Sequence, residues 1–129
     1  MPLFSMQTVT RTTDGFLAYF TKEFKLLEQG EFKHMLRKFH NSRLIDVSTK
    51  QEFSELHIPG SMNYDMLSPK FVDKIEVMDK SRPYFLYCRN GSRSEVAMHI
   101  MQDLGFKRVY TLASGIKTWK GTVARLNLL

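Results

Sequence analysis

The chain has 129 residues, 43% of them hydrophobic and 25% charged, a composition typical of one folded domain and unlike that of disordered or fibrous proteins. Its formal net charge is +6, but the lysines and arginines are scattered, which argues against nucleic acid as the partner and suits small anionic substrates. The single cysteine excludes an intrachain disulfide and a multi-cysteine zinc site within one chain, and no segment approaches the roughly 20 apolar residues of a membrane span.

The first forty residues predict an extension that packs on the rest of the domain. The opening segment MPLFSMQTVTRTTDG lacks the charged start, apolar run and cleavage site of a secretory signal, so we expect a cytoplasmic protein. Large apolar residues then predict two amphipathic helices separated near Gly30, after a short strand at residues 6–10. These apolar residues are Phe16, Leu17, Phe20, Phe24, Leu27, Met35, Leu36 and Phe39. We expect this apolar stripe to pack on a sheet.

Residues 41–129 alternate short apolar runs with segments of helical period, the pattern of an α/β domain with a parallel sheet. Buried strands are predicted at RLIDV (43–47), YFLY (84–87) and RVYTL (108–112). Helices are predicted at 49–56, 68–78, 92–104 and 115–119. Gly105 follows the third of these helices as the expected stop. We therefore expect residues 41–129 to form the core of one structural domain, with residues 1–40 packed on it.

The linker CRNGSR joins the predicted strand 84–87 to the helix at 92–104 and begins with Cys88. Ligands of open α/β sheets bind at the carboxyl ends of the strands, and N–H groups of a glycine-containing turn and of a first helical turn converge on anions. A helix N-terminus and cationic neighbours, here Arg89 and Arg93, lower the pKa of a cysteine thiol. A Cys88 thiolate would then be a nucleophile. The residues alone fit a buried, unreactive cysteine with two solvated arginines equally well.

Two longer stretches resemble the rhodanese family. YCRNGSRSEVAMHIMQDLGFKRVYTLASGIKTWKG is similar to the active-site half of a rhodanese domain, which runs from a strand through the cysteine loop and a helix to GF..V and a glycine turn before Trp. LIDVSTKQEFSELHIPGSMNYD resembles the other rhodanese signature, with an Asp-Val strand end, a Glu-aromatic helix and HIPG. The two stretches cover residues 44–121 in the expected order.

The resemblance implies a three-layer α/β/α fold around a central parallel sheet of about five strands, and a thiosulfate sulfurtransferase activity. In this family a cysteine thiolate takes a sulfane sulfur from a donor such as thiosulfate, becomes a persulfide and passes the sulfur to cyanide or a thiol. By this resemblance Cys88 carries the sulfur. The substrate-binding residues would be those of the loop, Arg89, Asn90, Gly91, Ser92 and Arg93. The family varies the two arginine positions, and we infer from their charge and position that both arginines hold a sulfite-like leaving group. The expected partners are a small anionic sulfur donor and a thiol or sulfur-relay protein as acceptor, with no metal and no cofactor.

The chain departs from the family pattern at three positions. Ser48 replaces the arginine of the common DVR, Leu56 replaces a glycine before HIPG, and Ser114 replaces the first glycine of a frequent GG. We expect the missing arginine to weaken an ion pair with Glu52 or another carboxylate. Asp46 and His57 are expected to stabilise packing or turns, and Trp119 to cover the sheet.

Two other functions fit parts of the pattern. Dual-specificity phosphatases of the cell-division-cycle type have a rhodanese-like fold, and a phosphatase or an arsenate reductase would use a similar cysteine loop. The phosphatase pattern, however, is His, Cys, five residues and Arg, whereas here Tyr87 precedes Cys88, only four residues separate it from Arg93, and Ser94 stands at the arginine position. The other alternative is a non-catalytic rhodanese module that binds or scaffolds a partner.

Overall fold

A computed structural model of the chain describes residues 21–126. The described strands are β1 (Glu23–Leu27), β2 (Arg43–Asp46), β3 (Met62–Asn63), β4 (Tyr84–Tyr87) and β5 (Arg108–Leu112). The α-helices are α1 (Gln29–Lys38), α2 (Lys50–Glu55), α3 (Phe71–Ile75) and α4 (Ser92–Asp103), and a short 3₁₀ helix, Ile116–Thr118, follows β5. The strands form one sheet in the order β1-β5-β4-β2-β3, and each neighbouring pair is parallel.

Helices cover both faces of the sheet. Successive side chains of a strand point to opposite faces, so the apolar run of β4 supplies two cores at once. Leu86 packs on one face with Met98 and other residues of α4, and Phe85 packs on the other face with Phe32 of α1. The result is three layers, α/β/α, around a five-stranded parallel sheet, which confirms the predicted fold class.

From residue 41 to residue 126 the elements agree closely with the sequence prediction. The strands at 84–87 and 108–112 are confirmed as β4 and β5, and the helix at 92–104 is confirmed as α4. The predicted helix at 68–78 is shorter, because only Phe71–Ile75 is α-helical and hydrogen-bonded turns lie on both sides. Across the described part of the chain, none of the helices combines the length and the apolar character needed to cross a bilayer.

The prediction for the N-terminal region was partly wrong. Phe24 and Leu27 lie on strand β1, which pairs with β5, and Gly30 lies in the first turn of α1 instead of separating two helices. On a strand, positions 24 and 27 face opposite sides, and these side chains indeed join the two different cores. On a helix they would share one face, which is what their spacing suggested. The second predicted helix, with Met35 and Leu36, is confirmed as α1, whereas the strand predicted at 6–10 lies outside the described residues.

Strand β3 was not predicted, because two residues carry no recognisable periodicity. Its position is set by hydrogen bonds to the end of β2 and the residues that follow it. Tyr64 N–H donates to the Asp46 carbonyl at 3.0 Å, and the Asn63 side chain donates to the carbonyls of Asp46 and Ser48. The sheet thereby extends two strands to one side of β4, and the carboxyl ends of β2, β3 and β4 lie side by side.

Candidate functional site

Cys88 lies at the carboxyl end of β4 in the centre of the sheet, where the chain turns sharply into α4. The turn requires Gly91, whose φ of 97° is in the left-handed region. A Cβ atom at this position would lie 2.0 Å from the Ala113 carbonyl oxygen, which no side chain tolerates. The loop after Cys88 therefore packs backbone against backbone on the segment that follows β5.

That following segment holds the loop from the other side. Ile116 N–H donates to the Cys88 carbonyl at 2.9 Å, and Lys117 N–H donates to the Arg89 carbonyl at 3.0 Å. Gly115 permits this approach, since a Cβ atom there would lie 2.4 Å from the Arg89 carbonyl oxygen. The cysteine loop is consequently held in one conformation by hydrogen bonds before any ligand arrives.

The Cys88 sulfur lies in a cradle of hydrogen-bond donors and is buried. Gly91 N–H donates to Sγ at 3.2 Å, and Ser94 N–H, one of the free donors in the first turn of α4, donates at 3.4 Å. The Ser94 hydroxyl oxygen lies 3.6 Å from the sulfur. Donors converging at a helix N-terminus stabilise negative charge on the sulfur, as the sequence led us to expect.

Behind the sulfur, a second hydroxyl contacts the first. Thr111 of β5 is fully buried, and its Oγ1 donates to Ser94 Oγ at 2.6 Å. Ser94 Oγ also lies 3.2 Å from the Gly91 carbonyl oxygen, to which it donates. Cys88, Ser94 and Thr111 thus form a continuous chain of polar groups inside an otherwise apolar core.

Asn90 and Ser92 lie at the exposed tip of the loop. Asn90 Oδ1 accepts hydrogen bonds from the Ser92 N–H at 3.1 Å and from the Ser92 hydroxyl at 2.9 Å. This side-chain turn uses the first free N–H of α4 and stabilises the loop conformation. The two residues are brought near the sulfur by the loop, but their polar side-chain atoms bond to each other.

Arg93 forms a two-point ion pair with Glu52 of α2. Nη1 donates to Oε1 at 2.8 Å and Nη2 donates to Oε2 at 3.0 Å. The Arg93 guanidinium holds the pKa of Glu52 at about 2, and Glu52 in turn raises the pKa of Arg93, an effect to which Cys88 also contributes. Glu52 completes a capping box with Thr49 at the start of α2. Glu52 therefore keeps an arginine partner although Ser48 replaces the family's usual arginine.

Arg89 points toward the neighbouring strand β2. Its Nη2 donates to the Leu56 carbonyl at 2.7 Å and lies 3.7 Å from Oδ2 of the buried Asp46. Asp46 Oδ1 accepts the Ser48 N–H at 2.8 Å and the Ser48 hydroxyl, while burial raises the Asp46 pKa. The loop thus brings both arginines to the site, and the structure places each of them against a carboxylate.

The segment after α2 is anchored next to the cysteine loop. Ile58 N–H donates to the Tyr87 hydroxyl at 2.9 Å, and Ser61 Oγ lies 2.8 Å from the same hydroxyl. His57 stacks on Phe53, and its Nδ1 donates to the Phe53 carbonyl at 2.8 Å. These contacts account for His57 as a turn-stabilising residue.

A cavity of about 490 Å³ opens at the carboxyl ends of β2 and β3. The rings of Phe53, Tyr64 and Phe71 form part of its wall, and two lysines, Lys50 of α2 and Lys74 of α3, also line it. In the described part of the chain neither lysine has a carboxylate within ion-pair distance. One carboxylate, that of Asp65, also lines the cavity, so the cavity combines aromatic surface with a net positive charge.

Two residues of the site were missed by sequence reasoning. Ser94 was considered only as the residue at the phosphatase arginine position, although its place in the first turn after the loop was a signal. Thr111 is the only residue with an aliphatic hydroxyl in the strand RVYTL, where it shares a face with Val109. A buried hydroxyl group within a strand needs a hydrogen-bond partner, and for Thr111 the partner is Ser94.

The sequence profile of the rhodanese-like domain family matches residues 28–122 of the chain. A relative from Coxiella burnetii, named thiosulfate sulfurtransferase GlpE, is 36% identical over 78 residues, which cover 60% of this chain and 70% of GlpE. The Bacillus subtilis protein YqhL, described as uncharacterized, is 32% identical over 99 residues, which cover 77% of this chain and 75% of YqhL.

The fold is also found in a solved structure. The crystal structure of the Alr3790 protein from Anabaena sp. superposes with a TM-score of 0.68 at 21% sequence identity, covering 78% of this chain and 80% of that chain. At this identity the similarity concerns the fold alone.

Proposed function

The chain belongs to the rhodanese-like domain family, and from this premise we propose that it is a sulfurtransferase that carries sulfane sulfur as a persulfide on Cys88. The donor would be thiosulfate or another small anionic persulfide source, and the acceptor a thiol, a sulfur-relay protein or cyanide. The observation that carries the proposal is the cradle, in which Gly91 N–H and Ser94 N–H both donate to the Cys88 sulfur. Such donors favour the thiolate that sulfur transfer requires.

In the first half-reaction the Cys88 thiolate attacks the outer sulfur of thiosulfate. A Cys–S–S⁻ group forms, the sulfur–sulfur bond of thiosulfate breaks, and sulfite leaves with the bonding electron pair. The thiolate supplies the electron pair of the new sulfur–sulfur bond and sulfite takes the pair of the broken one, so the step needs no external oxidant or reductant. Covalent storage of the sulfur predicts ping-pong kinetics.

Arg93 is the residue we assign to the anionic part of the donor. A guanidinium has five N–H donors, and Glu52 occupies two of them, so the others remain to bind oxyanion oxygens. Arg89, in contrast, is held by Asp46 and the Leu56 carbonyl, and we assign it the role of linking the loop to β2.

In the second half-reaction an acceptor thiolate attacks the outer sulfur of the persulfide, and Cys88 leaves as a thiolate. We assign the acceptor to the cavity lined by Lys50 and Lys74, whose charge suits a thiol with an anionic group. Asn63, which lines that cavity, pairs with Asp46 of β2, and Asp46 pairs with Tyr87 of β4. Neighbouring strands lie about 4.8 Å apart, so the cavity is roughly 10 Å from the end of β4. A small thiol that carries a carboxylate spans such a distance.

The intact mass of the protein after incubation with thiosulfate tests the proposal. We expect the mass to increase by one sulfur atom in the native chain, to stay unchanged in Cys88→Ser, and to return to its initial value after treatment with a reductant. Because Cys88 is the only cysteine, the position of the added sulfur follows directly.

No mass increase with thiosulfate or with a small-molecule persulfide donor would overturn the proposal and favour a non-catalytic module. An increase with the persulfide donor alone would identify a different donor but retain Cys88 as the sulfur carrier.

A further inference from the structure

We propose that Thr111 and Ser94 form a two-hydroxyl switch that follows the protonation state of Cys88, with Thr111 as the positioning residue. The role of this switch in sulfur transfer rests on the proposed function, whereas the hydrogen bonds that form it are independent of that function. Three observations carry it: Thr111 Oγ1 donates to Ser94 Oγ at 2.6 Å, Ser94 Oγ lies 3.6 Å from Cys88 Sγ, and all three residues are fully buried.

The hydrogen-bond donors and acceptors of the Thr111, Ser94 and Cys88 side chains can be counted. Ser94 Oγ has one proton and two lone pairs, and Thr111 occupies one lone pair. When Cys88 is a thiol, its S–H donates to the other lone pair, and the Ser94 proton goes to the Gly91 carbonyl oxygen at 3.2 Å. The polar hydrogens of all three side chains then have acceptors.

When Cys88 is a thiolate, the sulfur becomes an acceptor and the Ser94 proton turns toward it. The Gly91 carbonyl is not left without a partner, because Glu95 N–H still donates to it at 3.1 Å. The rotation therefore adds a third donor to the sulfur, beside Gly91 N–H and Ser94 N–H, without leaving a buried polar group unpaired. Donation from Thr111 polarises the Ser94 hydroxyl and makes it a better donor.

The switch has a role in both half-reactions of the proposed mechanism. Cys88 must be a thiolate when it attacks the donor and again when it leaves the persulfide. In the persulfide its Sγ is uncharged, and the Ser94 proton returns to the Gly91 carbonyl. In the first half-reaction the added donor raises the fraction of Cys88 that is thiolate. In the second it stabilises the negative charge that develops on Sγ as Cys88 leaves, which lowers the barrier without stabilising the persulfide.

The test is a thiolate titration of three variants. The ultraviolet absorbance of the thiolate, corrected with Cys88→Ser, reports only Cys88, because the chain has no other cysteine. We expect Thr111→Val, which keeps the side-chain shape, to move the titration midpoint upward by roughly half a pH unit, and Ser94→Ala by about one unit. Thr111→Ser, which keeps the hydroxyl, should retain the midpoint of the native chain.

The other ionisable groups of the site are identical in these variants, so the comparison of Thr111→Val with Thr111→Ser isolates the hydroxyl. Those groups are Asp46 of β2, Glu52 of α2, Tyr87 of β4, Arg89 of the loop and Arg93 of α4. A melting curve for each variant verifies that it is folded.

Equal midpoints for the native chain and for Thr111→Val would overturn the switch, even if persulfide forms normally. A shifted midpoint in a chain that accepts no sulfur would overturn the proposed function and leave the switch standing. A second readout is the rate at which the loaded persulfide is discharged to a thiol, which Ser94→Ala should lower several-fold because the leaving thiolate has lost a donor.

Discussion

Arg93 and Glu52 meet across the mouth of the cysteine loop through two parallel hydrogen bonds of 2.8 and 3.0 Å. Arg93 lies in the first turn of α4, and Glu52 belongs to the capping box at the start of α2. The pair therefore joins the two helices that follow β4 and β2, and it sets the direction of the arginine that we assign to the donor.

This pair contributes to stability in a pH-dependent way. The folded-state pKa of Glu52, about 2, is below its usual value of 4.5, so the contribution is complete above pH 4.5 and is lost as the pH falls toward 2. Both side chains are partly exposed, which limits the contribution to about 1 kcal/mol. We expect Glu52→Gln to lower the melting temperature at neutral pH and the difference from the native chain to vanish at low pH. A difference that persists unchanged to pH 2 would contradict the ionic origin.

The two arginines should differ in their effect on kinetics. Arg93→Lys removes the planar fork that binds oxyanions, and we expect the KM for thiosulfate to rise roughly tenfold, equivalent to about 1.4 kcal/mol. Arg89→Lys is the matched control: it breaks the contacts with Asp46 and the Leu56 carbonyl and should lower the melting temperature with little change in KM. Equal increases in KM would mean that both arginines bind the donor, as the sequence alone suggested.

Gly91, which precedes α4, should not tolerate any side chain. Gly91→Ala places a Cβ atom 2.0 Å from the Ala113 carbonyl oxygen and imposes a left-handed φ on alanine. We expect a loss of about 2 kcal/mol or more in the free energy of unfolding, together with loss of sulfur loading. Gly30→Ala in α1, where a Cβ atom meets nothing within 4 Å, should be neutral or stabilising by up to about 1 kcal/mol. Denaturant unfolding of both variants checks the contrast.

The lysines of the cavity should act on the acceptor and not on the donor. Lys74→Gln removes one of the two positive charges that line the cavity, and we expect a several-fold higher KM for a thiol that carries a carboxylate. The KM for cyanide, which has no such group, should not change. Lys70→Gln serves as the control, since Lys70 is also exposed and cationic but does not line the cavity. Parallel changes in Lys70→Gln would indicate a general effect of charge.

The strongly periodic parts of the fold were predictable. The runs of β4 and β5 and the long helix α4 each have a pattern that one element alone can produce, and their predicted bounds agree with the structure to within a residue. Strand β1 was not predictable in this way, because Phe24 and Leu27 are spaced as on a helix and become a strand only by pairing with β5, a partner more than eighty residues away.

In the candidate site too, some features were predictable from the sequence and others were not. Cys88 and Gly91 were predicted from their position in the loop, and the structure places the Gly91 N–H on the sulfur. The partners of Arg93 and Arg89 were not predictable, since Glu52 and Asp46 lie about forty residues earlier in the chain. Ser94 and Thr111 were missed because a hydroxyl becomes part of a site only through the group that it contacts.

The sequence by itself determined that one cysteine follows a buried strand and precedes a helix, because strand and helix periodicities and a glycine turn are local properties of the chain. Only the tertiary structure decided which side chains surround the sulfur. The order β5-β4-β2 sets Thr111 on one side of β4 and Asp46 on the other, and parallel pairing brings their loops to one edge of the sheet. Contacts between residues far apart in the chain follow from that order, which no local pattern encodes.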